Sequence, residues 1–147
     1  MEKKLKLNIN AIIKSVNVHT NEITKVTKVH NLVVDTGLDE CIDSGLSNIG
    51  YMAVGEDNTA VTSTDTELGT EVQRQAVTKT DEVTGVRKYN KTFTFSSGDS
   101  YTIVEAGLFD SATTSGSTMF NRLVFSGHDV DVDNGVSVQI TITLSAV

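Results

Sequence analysis

The sequence contains no proline and no tryptophan, only one cysteine, and aromatic residues at 5% of its 147 positions. Without proline, turns have to be built from Gly, Asn, Asp and Ser, which tolerate or stabilise tight backbone geometry. With Cys41 alone, the chain has neither an internal disulfide nor a second thiol for a zinc or redox pair. These absences fit synthesis in a reducing compartment, and Cys41 is expected to be a buried apolar residue.

Long apolar runs are also missing. Residues 5–10 alternate between apolar and polar side chains, so the amino terminus lacks the apolar core of a signal peptide. No apolar stretch reaches the length of about 18 residues that is typical of a membrane-spanning helix. We therefore expect a soluble protein with no export signal and no membrane partner.

Charge is distributed unevenly along the chain. The net charge of −7 argues against a sequence-independent nucleic-acid binder, which needs a basic surface against the phosphates. Residues 1–30 hold six of the twelve Lys and Arg residues against two acidic ones, which leaves six against seventeen for residues 31–147. The basic segment is expected to attract the acidic remainder, within one chain or between neighbouring copies, or simply to form a solvated strand face.

Thr, Val and Ile make up about a third of the chain, and these β-branched residues favour strands. Strict alternation of apolar and polar residues over 136–144 predicts a half-buried strand, and similar stretches recur along the sequence. Their spacing is typical of a two-sheet sandwich. We predict an all-β fold over residues 1–147, an antiparallel β-sandwich of about seven to nine strands with one short helix.

Local patterns place several elements. Residues 1–32 are predicted to form an amino-terminal hairpin or an arm, and residues 37–43 the short helix. Residues 72–83 and 86–95, separated by Thr84-Gly85, are predicted to form the longest antiparallel pair. The polar residues 59–71 are expected to form a long surface connection that is suited to contacting a partner.

Signatures of catalysis are missing from the sequence. His19, His30 and His128 are scattered without the spacing of a metal site, and no nucleophile elbow or phosphate-binding loop is present. We therefore expect a protein that is not an enzyme and that uses no cofactor.

One run of alternating carboxylates is a weak candidate for a calcium site. Asp129, Asp131 and Asp133 place oxygen ligands at every second position, but no glutamate closes the site as in a calcium loop. As a strand, the same alternation turns Val130 and Val132 inward and the three carboxylates into water. Both interpretations stay open, and the calcium interpretation would suit a calcium-dependent host- or carbohydrate-binding module.

Two charged residues lie within apolar segments where burial is expected. Glu105 is flanked by residues 103–109 and Arg122 by residues 119–125, both rich in apolar side chains. Because a buried charge is costly unless it is paired, Glu105 is predicted to form a structural ion pair with Arg122 or with Arg74.

Five segments, taken together and in this order, resemble a family of small structural proteins of tailed-phage virions. The segments are VVDTGL (33–38), IGYMAVG (49–55), TELGTEV (66–72), EAGLFD (105–110) and TMFNR (118–122). A related E-x-GLF signature occurs in the amino-terminal attachment domains of some tail fibres. The resemblance covers roughly residues 33–147 and carries no catalytic residue with it.

The resemblance implies a non-enzymatic virion protein that is made in the cytoplasm of the host bacterium. The leading interpretation is a capsid decoration or accessory protein that binds and stabilises neighbouring virion subunits. A tail-fibre or baseplate attachment protein is the alternative within the same class. Expected partners are major capsid or tail proteins, together with further copies of the chain in a symmetric homo-oligomer such as a trimer.

Overall fold

The computed structural model describes residues 5–30, 32–37 and 46–146, and these residues are almost entirely extended. Alternation of β-branched and polar residues explains this, since such residues cover one face of a strand and leave the other to solvent. The described strands are β1 (Leu5–Asn17), β2 (Ile23–His30), β3 (Leu32–Val33), β4 (Tyr51–Gly55), β5 (Glu71–Ala76), β6 (Thr78–Val83), β7 (Val86–Phe93), β8 (Tyr101–Phe109), β9 (Met119–Val130) and β10 (Asn134–Ala146).

The strands form two antiparallel sheets of five strands each. Sheet A has the order β2-β1-β10-β7-β6, and sheet B has the order β3-β9-β8-β4-β5. At the centre of sheet A, β1 and β10 pair without interruption from Leu5 opposite Ala146 to Asn17 opposite Asn134. The predicted all-β, antiparallel sandwich is confirmed.

The strand count differs from the prediction, with ten strands among the described residues instead of seven to nine. Residues 72–83, predicted as one strand, divide at Val77: β5 pairs with β4 in sheet B, whereas β6 pairs with β7 in sheet A. The Val77 amide donates to the carbonyl of Gly50, and its side chain packs on the core between the sheets. The point at which the chain passes from one sheet to the other cannot be recognised from the alternation of side chains, because the alternation continues on both sides of that point.

The described part of the first segment contains an antiparallel pair, β1 with β2. β1 pairs with β2 on one side and with β10 on the other, so it is an inner strand of sheet A. Asn21 closes the turn with a φ of 60°, a left-handed conformation that asparagine adopts more readily than most residues.

Helical structure is confined to a small part of the described chain. Residues 35–37 are helical, and the remainder of the helix predicted for 37–43, with Cys41, lies outside the described residues. Within the ranges that the structure describes, no helix is long and apolar enough to cross a membrane.

The main hydrophobic core lies between the sheets, where burial of apolar side chains stabilises the fold. Sheet A contributes the inward rows Ile9, Ala11 and Ile13 of β1 and the alternate residues of β7 and β10. The largest fully buried side chains of this core include Tyr89, Phe93, Phe120, Met52 and Ile103.

A second, smaller core lies on the opposite face of sheet B. It consists of Val34, Ala53, Leu68, Phe109 and Met119, with Tyr51 packed against them. Strands β4, β8 and β9 supply the floor, while Val34 and Leu68 come from the segments that follow β3 and precede β5. Sheet B therefore buries side chains on both faces, whereas among the described residues no second core lies on the outer face of sheet A.

A buried histidine ties the two sheets together. His128 of β9 is fully buried; its Nδ1 lies 2.7 Å from the Ser15 hydroxyl of β1, and its Nε2 lies 2.9 Å from the Thr27 hydroxyl of β2. Burial, with a smaller contribution from Lys25, lowers the pKa of His128 to about 4, although Asp129 opposes the shift. The imidazole is therefore neutral in the folded protein at neutral pH.

This lowered pKa predicts a pH-dependent stability. Between pH 6.5 and pH 4 the unfolded chain protonates His128 and the folded chain does not, so the free energy of unfolding should fall on acidification by on the order of 3 kcal/mol. Urea unfolding across this range measures the slope. His128→Gln should flatten it, and an unchanged slope in His128→Gln would contradict the assignment.

Candidate functional site

Glu105 and Arg122 lie on the outer face of sheet B, and the strand register explains why they meet. Gly107 of β8 lies opposite Arg122 of β9, so Glu105, two residues before Gly107, projects from the same face as the arginine. Glu105 is 0% exposed and Arg122 is 3% exposed. The Arg122 Nε donates to the Glu105 Oε2 across 2.9 Å.

Glu105 accepts three further hydrogen bonds, all from backbone amides of the connection between β4 and β5. Its Oε1 accepts from Thr70 at 2.8 Å and from Asp57 at 3.2 Å, and its Oε2 accepts from Gly69 at 3.0 Å. These donors come from both ends of residues 56–70, which we name the clamped loop. A single carboxylate thus fixes the beginning and the end of the loop.

Arg122 fixes the middle of the same loop. Its Nη1 donates to the Thr59 carbonyl at 3.0 Å and to the Asp65 Oδ2 at 3.2 Å, and its Nη2 donates to the Asp57 carbonyl at 3.1 Å. The planar guanidinium presents its donors in a rigid fork, so these partners specify one loop conformation. Breaking the ion pair would release the loop at several points together.

Two aspartates reinforce the loop from within. Asp57 accepts from the Thr59 amide at 2.8 Å, and Asp65 accepts from the Thr62 amide at 3.1 Å and the Thr62 hydroxyl at 2.8 Å. Hydrogen bonds from Thr59, with Arg122 nearby, lower the pKa of Asp57. Burial raises the pKa of Asp65, but the Thr62 hydrogen bonds and Arg122 outweigh it and leave that pKa below its ordinary value. Both loop carboxylates are therefore charged at neutral pH.

Two glycines leave room for this network. A Cβ atom on Gly55 would lie 2.3 Å from the Thr70 carbonyl oxygen and 2.4 Å from the Glu105 Oε1. A Cβ atom on Gly69 would lie 1.6 Å from the Asp57 Oδ2. Side chains at these positions would push the loop away from the carboxylate that holds it.

Arg74 does not contact Glu105, although the sequence allowed that pairing. It lies on β5, where its Nη2 donates to the Glu71 Oε1 at 2.7 Å and its guanidinium carbon lies 3.8 Å from the centre of the Phe109 ring. Its Nη1 also donates to the carbonyls of Ser111 and Thr113, each at 3.0 Å. Arg74 therefore anchors the neighbouring connection, residues 110–118, in the way that Arg122 anchors the clamped loop.

The three weak calcium candidates are not brought together. The Asp129 Oδ1 accepts from the Thr102 hydroxyl at 2.7 Å, and the Asp133 Oδ1 lies 2.8 Å from the His19 Nε2. The Asp131 Oδ1 caps a tight turn by accepting from the amides of Asp133 and Asn134, each at 2.9 Å, which lowers its pKa. Across the part of the chain that the structure describes, no three His, Cys, Asp or Glu side chains converge in a way that could hold a metal ion.

Chemically, the Glu105 network holds backbone in place. The described surface of the clamped loop presents exposed side chains that include Asn58, Thr64 and Glu67. The arrangement is suited to presenting a rigid polar surface to a macromolecule. The loop partners of the pair were missed from sequence because nothing in the spacing of Asp57 and Asp65 links them to Arg122.

The buried pair predicts a large and coupled energetic effect. Arg122→Met leaves the buried Glu105 carboxylate without a cation and should lower the free energy of unfolding by about 3–5 kcal/mol. Glu105→Gln leaves Arg122 its contact with Asp65 and should lower it by less. The double variant should lose clearly less than the sum of the two, as measured by a double-mutant cycle in urea. Asp81→Asn is the control, because it weakens the ion pair of the exposed Asp81 with Arg87 and leaves the contact of Arg87 with Tyr89, so it should destabilise the protein much less. Equal losses at both pairs would contradict this assignment.

Glycine substitutions test the close approach of the loop. Gly55→Ala should destabilise the protein by about 2 kcal/mol or more, because overpacking forces backbone shifts. Gly50→Ala is the matched control in the same chain segment, since its Cβ would meet nothing within 4 Å, and it should be neutral or slightly stabilising. Thermal unfolding of both variants measures the difference; a similar effect at the two positions would argue against the tight contact.

Comparison of the chain with protein-family models, with curated proteins and with solved structures finds no match. The likeness of the five segments to tailed-phage virion proteins therefore stays a prediction from the sequence. The structure adds that each segment contributes one residue to the small core under the clamped loop: Val34, Ala53, Leu68, Phe109 and Met119.

Proposed function

We propose that this chain is a structural protein of a tailed-phage virion, a capsid decoration or accessory protein that binds and bridges neighbouring subunits. One observation carries the proposal: each of the five family-like segments contributes a residue to one small apolar core, and three of them also supply Glu105, Arg122 and the Gly69 amide of the network that holds the clamped loop. The five motifs and their order are explained if their common role is to maintain the shape of the clamped loop.

A loop held in this way is suited to binding. Binding by a flexible loop of this length loses affinity because the loop must be ordered, whereas a loop fixed by Glu105 and Arg122 has already lost that freedom. Loops on a rigid scaffold commonly carry the contacts of binding proteins. The exposed side chains here are short and polar, which suits a wet protein–protein contact that is repeated over a particle.

The surface next to the clamped loop supports the same interpretation. Residues 110–118, anchored by Arg74, also expose short polar side chains, and the Thr114 hydroxyl contacts the Glu71 Oε2 at 3.3 Å. Two rigid loops on the outer face of sheet B thus form one composite docking surface. A tail-fibre or baseplate attachment protein would use the same surface, so location on the particle separates the two roles.

The experiment is a cryo-EM map and peptide mass spectrometry of purified particles of the phage that encodes the chain. Density on the capsid lattice is the expected result, density confined to the tail or baseplate would select the attachment role, and absence of the protein from particles would overturn the proposal. In a binding assay on particles that lack the protein, Thr64→Arg/Glu67→Arg should weaken binding at least about tenfold. Thr84→Arg, exposed at the β6–β7 turn, is the control and should bind normally.

A further inference from the structure

The solvent face of sheet A carries an apolar stripe that belongs to neither core. The inward residues of β1 are Ile9, Ala11, Ile13 and Ser15, so the even-numbered residues point to solvent. Ile12 and Val16 are among them, and the register places Val26 and Ile23 of β2 on the same face. Ile23 is 49% exposed and Val26 is 51% exposed. We name Ile12, Val16, Ile23 and Val26 the β1–β2 stripe.

Two lysines border the stripe. Lys14 lies directly opposite Val26, and Lys28 lies directly opposite Ile12. Strands β1 and β2 contain no aspartate or glutamate, so the stripe and its border are a basic surface on an acidic protein.

Carboxylates and another exposed apolar residue lie at the end of this surface. The turn between β9 and β10 packs on the turn between β1 and β2, where the Val18 amide donates to the Asp133 carbonyl at 2.9 Å and His19 bonds the Asp133 carboxylate. This turn exposes Val132 by 43% and carries the Asp131 and Asp133 carboxylates. We name the β1–β2 stripe, Lys14, Lys28 and this turn the corner. It places apolar, basic and acidic groups next to one another.

We infer that this corner is a self-complementary interface that binds a second copy of the chain. In a twofold contact the same patch meets itself in reversed order, so the lysines of one copy approach the carboxylates of the other while the apolar residues pack between them. A second copy is the occupant because the corner itself supplies both signs of charge. The interface is separate from the clamped loop and does not depend on the proposed function.

Removal of apolar surface is the first test. Ile23→Ser/Val26→Ser should weaken self-association at least about tenfold in sedimentation-equilibrium ultracentrifugation over a protein concentration range of about 1–100 µM. Val83→Ser is the matched control: Val83 is a 65% exposed valine on the opposite edge strand of the same sheet and should leave association unchanged. Circular dichroism and thermal unfolding verify that all these variants fold.

Charge exchange is the second test, and it distinguishes this interface from a general hydrophobic contact. Lys28→Glu and Asp133→Lys should each weaken association about tenfold, and the double variant should recover it, because the exchanged charges attract again across the interface. Lys79→Glu, at an exposed lysine of β6, is the control. Rising salt should weaken the dimer of the unmodified chain.

Other outcomes overturn the inference. A chain that is monomeric at about 100 µM, or a dimer whose affinity does not respond to the changes at Val26 and Lys28, would assign the corner no role between copies. A dimer broken by Val83→Ser would place the contact on the β6 edge. If the clamped-loop variants bound particles normally, the proposed function would fail while self-association through this interface would be unaffected, so the two failures are distinguishable.

Discussion

The side of sheet B that faces away from sheet A depends on one constraint, which is that a carboxylate with no exposed surface must be neutralised and fully hydrogen-bonded. Glu105 meets this requirement with one guanidinium and three backbone amides. Each of these partners in turn fixes something larger: Arg122 fixes β9 against β8, and the amides of Asp57, Gly69 and Thr70 fix both ends of a loop. The clamped loop is thus held in one conformation because its amides supply the hydrogen bonds that the buried Glu105 carboxylate requires.

Buried ion pairs are weak evidence for stability, since apolar residues of similar size often stabilise a fold as well or better. The value of this pair lies in specificity. An apolar substitute could fill the volume but could not select which amides of residues 56–70 come to rest against the sheet. Arg74 likewise selects a loop conformation: it stacks on Phe109 and donates hydrogen bonds to carbonyls within residues 110–118.

Much of the fold followed from local alternation. The strand of β10, the hairpin of β1 and β2, and the turn at Thr84-Gly85 repeat the pattern of the sequence, because side-chain period reports which face is buried. The burial of Glu105 and Arg122 could also be predicted from the sequence, since each lies in an apolar segment. The exchange of sheets at Val77, the inter-sheet histidine and the loop aspartates were not, because each depends on contacts between residues that are remote in the chain. Alternating carboxylates at 129–133 resembled a ligand set, but β9 ends at Val130 and the chain turns there, so Asp131 caps the turn while Asp129 and Asp133 bond to different partners.

The pairing of β1 with β10 has a consequence for how the protein is made. β1 buries Ile9, Ala11 and Ile13, but one of its two neighbours begins more than a hundred residues later, at Asn134. Until then, β2 can satisfy only one edge of β1, and the other edge remains open for pairing with any passing strand. Closure of sheet A is therefore a late, non-local event, of the kind that makes β-sandwiches fold slowly. The nascent chain is most prone to aggregate in the interval after β1 has been synthesised and before β10 is available to pair with it.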